Sequence, residues 1–270
     1  MRPFYGESMS RRAPEPIYTA AIGIGRAFFA ALRVKRRAIG VENIPATGGA
    51  VYAMTHFGYL EFALVEWQTW LHNRRRVRFM ATKRAFDKPV IGWLLRGMKH
   101  IEVDMSAGGT AYAHAVEALR RGEIIGVFPE AGVSASFTVR DLKTGAVRLA
   151  AEAGVPVIPV AVWGGQRLLT KNRRIRMRDR VGVEVDFAFG RPLLVSPEDD
   201  VVTKTAELRD ILQQLTDSLQ TGYPHDGTGQ WWQPRRLGGT APSIEEAAAS
   251  DAERDRRRAA SEAGSEAGRR

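Results

Sequence analysis

The feature that most constrains this chain is a repeated alternation of short apolar runs with longer segments of helical period. Strand candidates lie near 50–55, 77–82, 100–104, 124–128 and 155–162, with helix candidates near 60–73, 89–97, 109–121 and 143–153 between them. Alternation of this kind favours a sheet with many parallel pairings and helices on its faces. The expected fold is therefore α/β, one domain with a mixed, mostly parallel sheet flanked by helices. Gly122, after Arg120-Arg121, suits a helix C-cap, and Gly154 closes the 143–153 helix in the same way. Val181 to Phe187 alternates with period two, which predicts a half-exposed, antiparallel strand. Ser196-Pro197-Glu198 predicts the start of a last helix running to about Leu219, with Ser196 as N-cap.

The flanks differ from this middle region. Residues 1–16 carry Pro3, Pro14 and Pro16 among charges and read as a loose arm. From Ile17 to Val34 an apolar stretch is interrupted by Arg26 and Arg33, too short and too charged for an ordinary membrane span and without a signal-peptide cleavage pattern. As a helix it places Ile17, Ala21, Ile24, Phe28, Ala31 and Leu32 on one face. With Lys35-Arg36-Arg37 following, it reads either as an amphipathic helix in a membrane interface or as a helix docked on the domain's own core. Val41 to Pro45 reads as a short strand and turn. Beyond Gly222, Gly, Pro, Ser, Ala and mixed charges dominate, and only Trp231 and Trp232 offer burial. The expected division is a basic arm and helix at 1–40, a domain at 41–222 and a mobile tail at 223–270.

Charge narrows the partners. Of the net +10, the first forty residues contribute most, eight basic residues against two acidic, whereas the segment from 225 is balanced. Such a distribution attracts anionic surfaces. No stacking array or binding motif for nucleic acid accompanies it, so an anionic membrane surface is the expected partner and nucleic acid is not. The absence of cysteine excludes disulfides, thiolate metal sites and cysteine nucleophiles, and the five scattered histidines show no ligand-pair spacing. No metal or cofactor is expected.

Two segments place polar chemistry at strand ends, where open α/β sheets form their sites. Ala50 to Met54 leads into Thr55-His56-Phe57-Gly58-Tyr59-Leu60-Glu61, and Ile124 to Val127 leads into Phe128-Pro129-Glu130-Ala131-Gly132. A histidine followed five residues later by a carboxylate is a minimal base-plus-orienter pair. On a continuous helix the two would stand about 140° apart, so the pair works only with His56 in a strand-to-helix turn and Glu61 inside the first helical turns. Gly58 permits such a turn.

Taken with Val155-Pro156-Val157-Ile158-Pro159-Val160, these segments resemble the successive motifs of the glycerophospholipid acyltransferase family, which includes the bacterial 1-acylglycerol-3-phosphate acyltransferases. Ala81-Thr82-Lys83-Arg84-Ala85-Phe86 and Lys143-Thr144-Gly145 fit further blocks of the same pattern, and the order agrees across roughly 40–195. The resemblance implies acyl transfer from acyl-CoA or acyl-carrier protein to a hydroxyl of a lysophospholipid or related lipid acceptor, by a peripheral protein on the cytoplasmic side of the cell membrane. It implies His56 as general base and Glu61 as orienter. Lys83, Phe128, Pro129, Glu130, Gly132 and Lys143 are the residues it places near substrate; a loop carboxylate capping backbone amides is the other reading of Glu130. The pattern is broken where Glu61 stands for aspartate, Thr55 for asparagine, and Val133 and Met105 for two arginines associated with the acceptor's phosphate. An apolar side chain cannot replace a guanidinium fork. A glycolipid or other non-glycerophosphate acceptor, or a catalytically silent lipid-binding member, are the alternatives those positions raise, with Lys99, Arg140 and Lys143 as possible substitutes.

Overall fold

The computed structural model describes residues 14–104 and 108–267. In chain order the elements are α1 (Pro16–Ala31), β1 (Lys35–Ile39), β2 (Ala50–Met54), α2 (Glu61–Asn73), β3 (Val77–Thr82), α3 (Lys83–Phe86), α4 (Pro89–Gly97), β4 (Ile101–Val103), α5 (Gly108–Arg120), β5 (Ile124–Val127), α6 (Gly145–Ala153), β6 (Val157–Trp163), β7 (Glu184–Phe189), α7 (Val201–Thr221) and α8 (Ile244–Ala267). The strands form one sheet in the order β1-β7-β6-β2-β5-β3-β4. Every neighbouring pair is parallel except β6 with β7. The mostly parallel α/β sheet read from the alternation is the observed architecture.

All five residues of β2 are buried, because the strand is covered on both faces. Val51 and Ala53 face a core built with α5, α6 and α7, including Ala115, Leu119, Val147 and Leu212. Ala50, Tyr52 and Met54 face the opposite core with Phe29 of α1 and Leu64 and Val65 of α2. The period-two alternation of a strand thus feeds two separate layers. Strand β2 lies between β6 and β5, and its register sets Ala53 opposite Val127. That pairing brings the loops after β2 and β5 side by side, although 72 residues separate His56 from Phe128.

Several local expectations are corrected. Strand β7 is antiparallel to β6 as read, but five of its six residues are buried, since β1 pairs on its other side. The β1 partner was hidden in Lys35-Arg36-Arg37, whose charges read as a helix flank. Residues Val41–Asn43 form a 3-10 turn rather than a strand. Helix α7, read as the last, begins at Val201 and not near Pro197, and α8 follows it; Asp200 is the N-cap of α7 and accepts a hydrogen bond from the Thr203 amide at 2.7 Å. Helix α1 buries Tyr18, Ile22 and Phe29, whereas of the expected apolar face Leu32, just past its end, is buried but Ile24 (72%) and Phe28 (43%) are exposed. Phe29 stacks on Trp67 of α2, which sets the docked stripe.

The segment after Gly222 carries more packing than its composition suggested. Trp232, Ala241 and Ala247 are buried, Tyr223 and Trp232 pack edge to face, and the 244–267 stretch is helical. The two tryptophans seat the connection on Phe137 and Tyr223, and these contacts offset ordering entropy that the polar composition alone could not.

Candidate active site

The site is built on the turn between β2 and α2. Glu61 opens α2 and is completely buried. One of its oxygens accepts hydrogen bonds from the amides of Phe57 and Gly58, both at 2.9 Å. The other accepts from the Phe57 amide at 3.0 Å and lies 3.1 Å from Nδ1 of His56. The carboxylate therefore holds the turn that leads into α2 and meets the imidazole with one side chain. This is the strand-end histidine and first-turn acid that the five-residue spacing required. Gly58 is needed for a different reason from its conformational freedom: a Cβ there would lie 2.9 Å from the Leu169 carbonyl and 3.1 Å from the Gln166 amide.

The loop after β5 clamps that turn. The Glu130 carboxylate accepts the His56 amide at 2.9 Å and the Arg140 amide at 3.1 Å, and the Ser134 amide donates to the His56 carbonyl at 2.7 Å. Phe128 stacks on the imidazole, ring centroids 4.0 Å apart at 24°. Thr55, where the related motif carries asparagine, is buried and accepts the Val162 amide on its hydroxyl at 3.1 Å. Thr170, not singled out by the sequence, donates its hydroxyl to the Phe57 carbonyl at 2.7 Å. No spacing signal marked it, because its partner lies 113 residues away.

These surroundings set the protonation states. Burial pushes the His56 imidazole down to about 4, opposed by Glu130 and aided by Arg140. Burial also pushes the Glu61 carboxyl upward, opposed by the amides of Phe57 and Gly58. Both Glu61 oxygens accept backbone amides, the pattern of an acceptor, and with Glu61 ionised the ring proton sits on Nδ1. Nε2 is then left with a lone pair. A neutral imidazole in this tautomer can take a proton from a hydroxyl placed at Nε2. Glu130 is raised by burial to about 7, opposed by the His56 and Arg140 amides.

The other expected site residues fall into two groups. Phe128, Pro129, Glu130 and Gly132 are all in the loop beside His56; Glu130 is 6% exposed and both its oxygens accept backbone amides, the capping arrangement that was its other reading. Gly132 accepts the Arg140 guanidinium on its carbonyl at 2.5 Å. Lys143 supports the loop with its backbone, donating its amide to the Pro129 carbonyl at 2.9 Å, while its side chain is in an exposed residue. Lys83, at the end of β3, is 54% exposed and pairs with Asp104 at 3.1 Å. Val133 is 4% exposed and packs inward. Met105 lies outside the described residues. Lys171, the first residue of the basic run at 171–180, is buried and donates to the Val133 carbonyl at 3.0 Å.

A cavity of about 140 Å³ lies among α1, α2 and α4, lined by Ile22, Phe62, Trp67, Phe79 and Leu94. Among the described residues no helix is long and apolar enough to cross a membrane.

Comparison with known proteins gives one consistent answer. The family model described as Acyltransferase matches residues 35–163, which contain the whole His56–Glu61 turn and the Phe128–Gly132 loop. A 1-acyl-sn-glycerol-3-phosphate acyltransferase of Bacillus subtilis is 29% identical over 180 residues, 64% of this chain and 88% of that protein. A chloroplastic 1-acyl-sn-glycerol-3-phosphate acyltransferase of Arabidopsis thaliana is 27% identical over 48% of this chain, and the match spans only 36% of the plant protein. The crystal structure of the 1-acyl-sn-glycerophosphate acyltransferase PlsC from Thermotoga maritima has the same fold, with TM-score 0.64, 20% identity and coverage of 77% of this chain and 81% of that one.

Proposed function

For a chain that belongs to the glycerophospholipid acyltransferase family and is an O-acyltransferase of that type, we propose transfer of a fatty acyl group from an acyl-CoA or acyl-carrier-protein thioester to the free hydroxyl of a 1-acylglycerol-3-phosphate-type lysophospholipid. The observation that carries this reading is the His56 Nδ1 to Glu61 contact of 3.1 Å, with the carboxylate locked by two backbone amides. In the proposed step His56 Nε2 takes the acceptor's hydroxyl proton as its oxygen attacks the thioester carbonyl. Glu61 stabilises the imidazolium that forms. Collapse of the tetrahedral intermediate breaks the C–S bond, and the departing thiolate recovers the proton from Nε2. Phe128 and burial keep the imidazole neutral at physiological pH, so the base form prevails.

His56→Ala is expected to lower acyl transfer to a lysolipid by about 10²–10⁴-fold with the fold intact. Unchanged turnover in a thioester-release assay would remove His56 from the mechanism. A second acceptor class, glycolipids or other non-phosphate lipids, is favoured by one observation: Val133 puts an apolar, buried side chain where the related motif has arginine. Mass-spectrometric product analysis with a mixed panel of lysolipids and glycolipids separates the two. Work at the cytoplasmic face of an anionic membrane is the proposed setting, supported by the exposed Ile24, Phe28, Val90 and Trp93 on α1 and α4 and by the basic residues following α1.

A further inference from the structure

Three cations converge on one carboxylate beside the Glu130 loop. Asp251 of α8 pairs through one oxygen with Lys171 Nζ and, at 3.4 Å, with Arg254. Its other oxygen lies 3.4 Å from Arg140 Nη1. Arg140 and Lys171 are both wired into the active-site loop: Arg140 Nη2 donates to the Gly132 and Glu130 carbonyls, and Lys171 Nζ donates to the Val133 carbonyl. The two cations therefore stand at the stretch 130–133 whose own side chains supply no positive charge.

We infer that Arg140 and Lys171 form the seat for the phosphate group of the acceptor, and that Asp251 occupies this seat as an internal stand-in when acceptor is absent. The inference rests on the acyl-transfer reading for the identity of the ligand. The seat is built: the Lys171 side chain is 4% exposed and that of Arg140 is 22% exposed. Its present occupant pairs closely with Lys171 but serves Arg140 poorly. The Asp251 to Arg140 contact is longer than a good charge-assisted hydrogen bond, and Arg140 Nε has no hydrogen-bond partner, its nearest carboxylate oxygen being Glu130 at 3.8 Å. A phosphate monoester brings more acceptor oxygens and more charge than a carboxylate, so it matches a guanidinium and an ammonium better. Exchange of one anion for the other leaves neither cation buried without a counter-charge, which keeps the cost of opening low. Helix α8 is held near the seat by polar contacts, such as Asn172 to Ser250 at 3.5 Å, and by Ala247, which is buried.

Calorimetric titration of the full-length protein tests this without turnover, using glycerol 3-phosphate as head-group probe and free coenzyme A as the other phosphate source. Asp251→Asn should tighten glycerol 3-phosphate about tenfold and leave coenzyme A unchanged. Arg140→Gln should weaken glycerol 3-phosphate more than about tenfold. In the unaltered protein, saturating glycerol 3-phosphate should speed amide hydrogen exchange across 247–254 as Asp251 leaves, a readout that does not depend on any variant folding. Unchanged glycerol 3-phosphate affinity in a folded Asp251→Asn protein, or unchanged exchange across 247–254, overturns occupation by Asp251. Tightening of coenzyme A alone overturns the assignment to the acceptor. Because the readout is binding, a protein that binds glycerol 3-phosphate as stated but transfers no acyl group would refute the reaction and leave the seat standing.

Discussion

At the scale of single residues, Glu61 does the work of three. It accepts the Phe57 and Gly58 amides, starts α2 and orients His56. Its replacement of aspartate lengthens the arm, yet the turn accommodates it because Gly58 lets the 165–169 loop close over the backbone. Glu61→Gln keeps the size but places an amide N–H where an acceptor is needed. The imidazole then favours the opposite tautomer, with its proton on Nε2. Turnover is expected to fall by about 10⁴-fold with little change in apparent substrate affinity, measured by steady-state kinetics. The low basicity of His56 has its own signature. With the imidazole at about 4, kcat/KM should stay flat as pH drops from 7 to 5 and decline only near 4, where the ring protonates. An acid limb near 6.5 would mean that burial does not govern this histidine.

At the scale of elements, α1 carries two apolar stripes and the domain uses one. Tyr18, Ile22 and Phe29 dock on the body of the domain, where Tyr18 donates its hydroxyl to the Val77 carbonyl. Ile24 and Phe28 remain outside, and α4 exposes Val90 (78%) and Trp93 (61%). Both helices also line the 140 Å³ cavity, α1 through Ile22 and α4 through Leu94. Burial of one such side chain in a lipid interface is worth about 1.5–3 kcal/mol, so Trp93→Glu should lower co-sedimentation with anionic vesicles about tenfold or more. Added salt should weaken binding of the unaltered protein further through screening of its basic residues. Equal sedimentation of the two proteins would place the lipid contact elsewhere. The docked and the exposed stripe could not be told apart from the helical wheel, since both are apolar.

At the scale of the whole molecule, buried titratable groups shape acid and alkaline stability in opposite directions. Burial lowers His56 to about 4 and His100 to about 3, from 6.5, so below 6.5 the unfolded chain binds protons that the fold refuses and stability is lost as pH falls. Burial raises Glu66 to about 8 and Glu130 to about 7, from 4.5, so their contribution is full below 4.5 and is lost as pH rises through 7 and 8. Between 4.5 and 6.5 the two effects oppose each other. The urea midpoint should therefore be highest across that interval and lower at both pH 3.5 and pH 8.5. Glu66→Gln should flatten the alkaline decline; an unaltered decline would show that Glu66 is not its source.

The sequence by itself marked six of the seven strands, missing β1, together with the strand-end position of His56 and the first-turn position of Glu61. Each follows from local periodicity and from spacing along a continuous chain, which short-range geometry fixes. It also marked the Phe128–Gly132 loop, but not what that loop does. That Phe128 stacks on His56 and that Glu130 holds its backbone depend on the Ala53–Val127 register, a pairing between segments distant in sequence. Lys171 and Asp251 were invisible for the same reason. A lysine in a basic run and an aspartate in a balanced tail look solvated until tertiary structure buries one and brings the other to it. Periodicity reports which face of an element is apolar; only packing decides which charges are enclosed, because desolvation and pairing are properties of the neighbours and not of the residue.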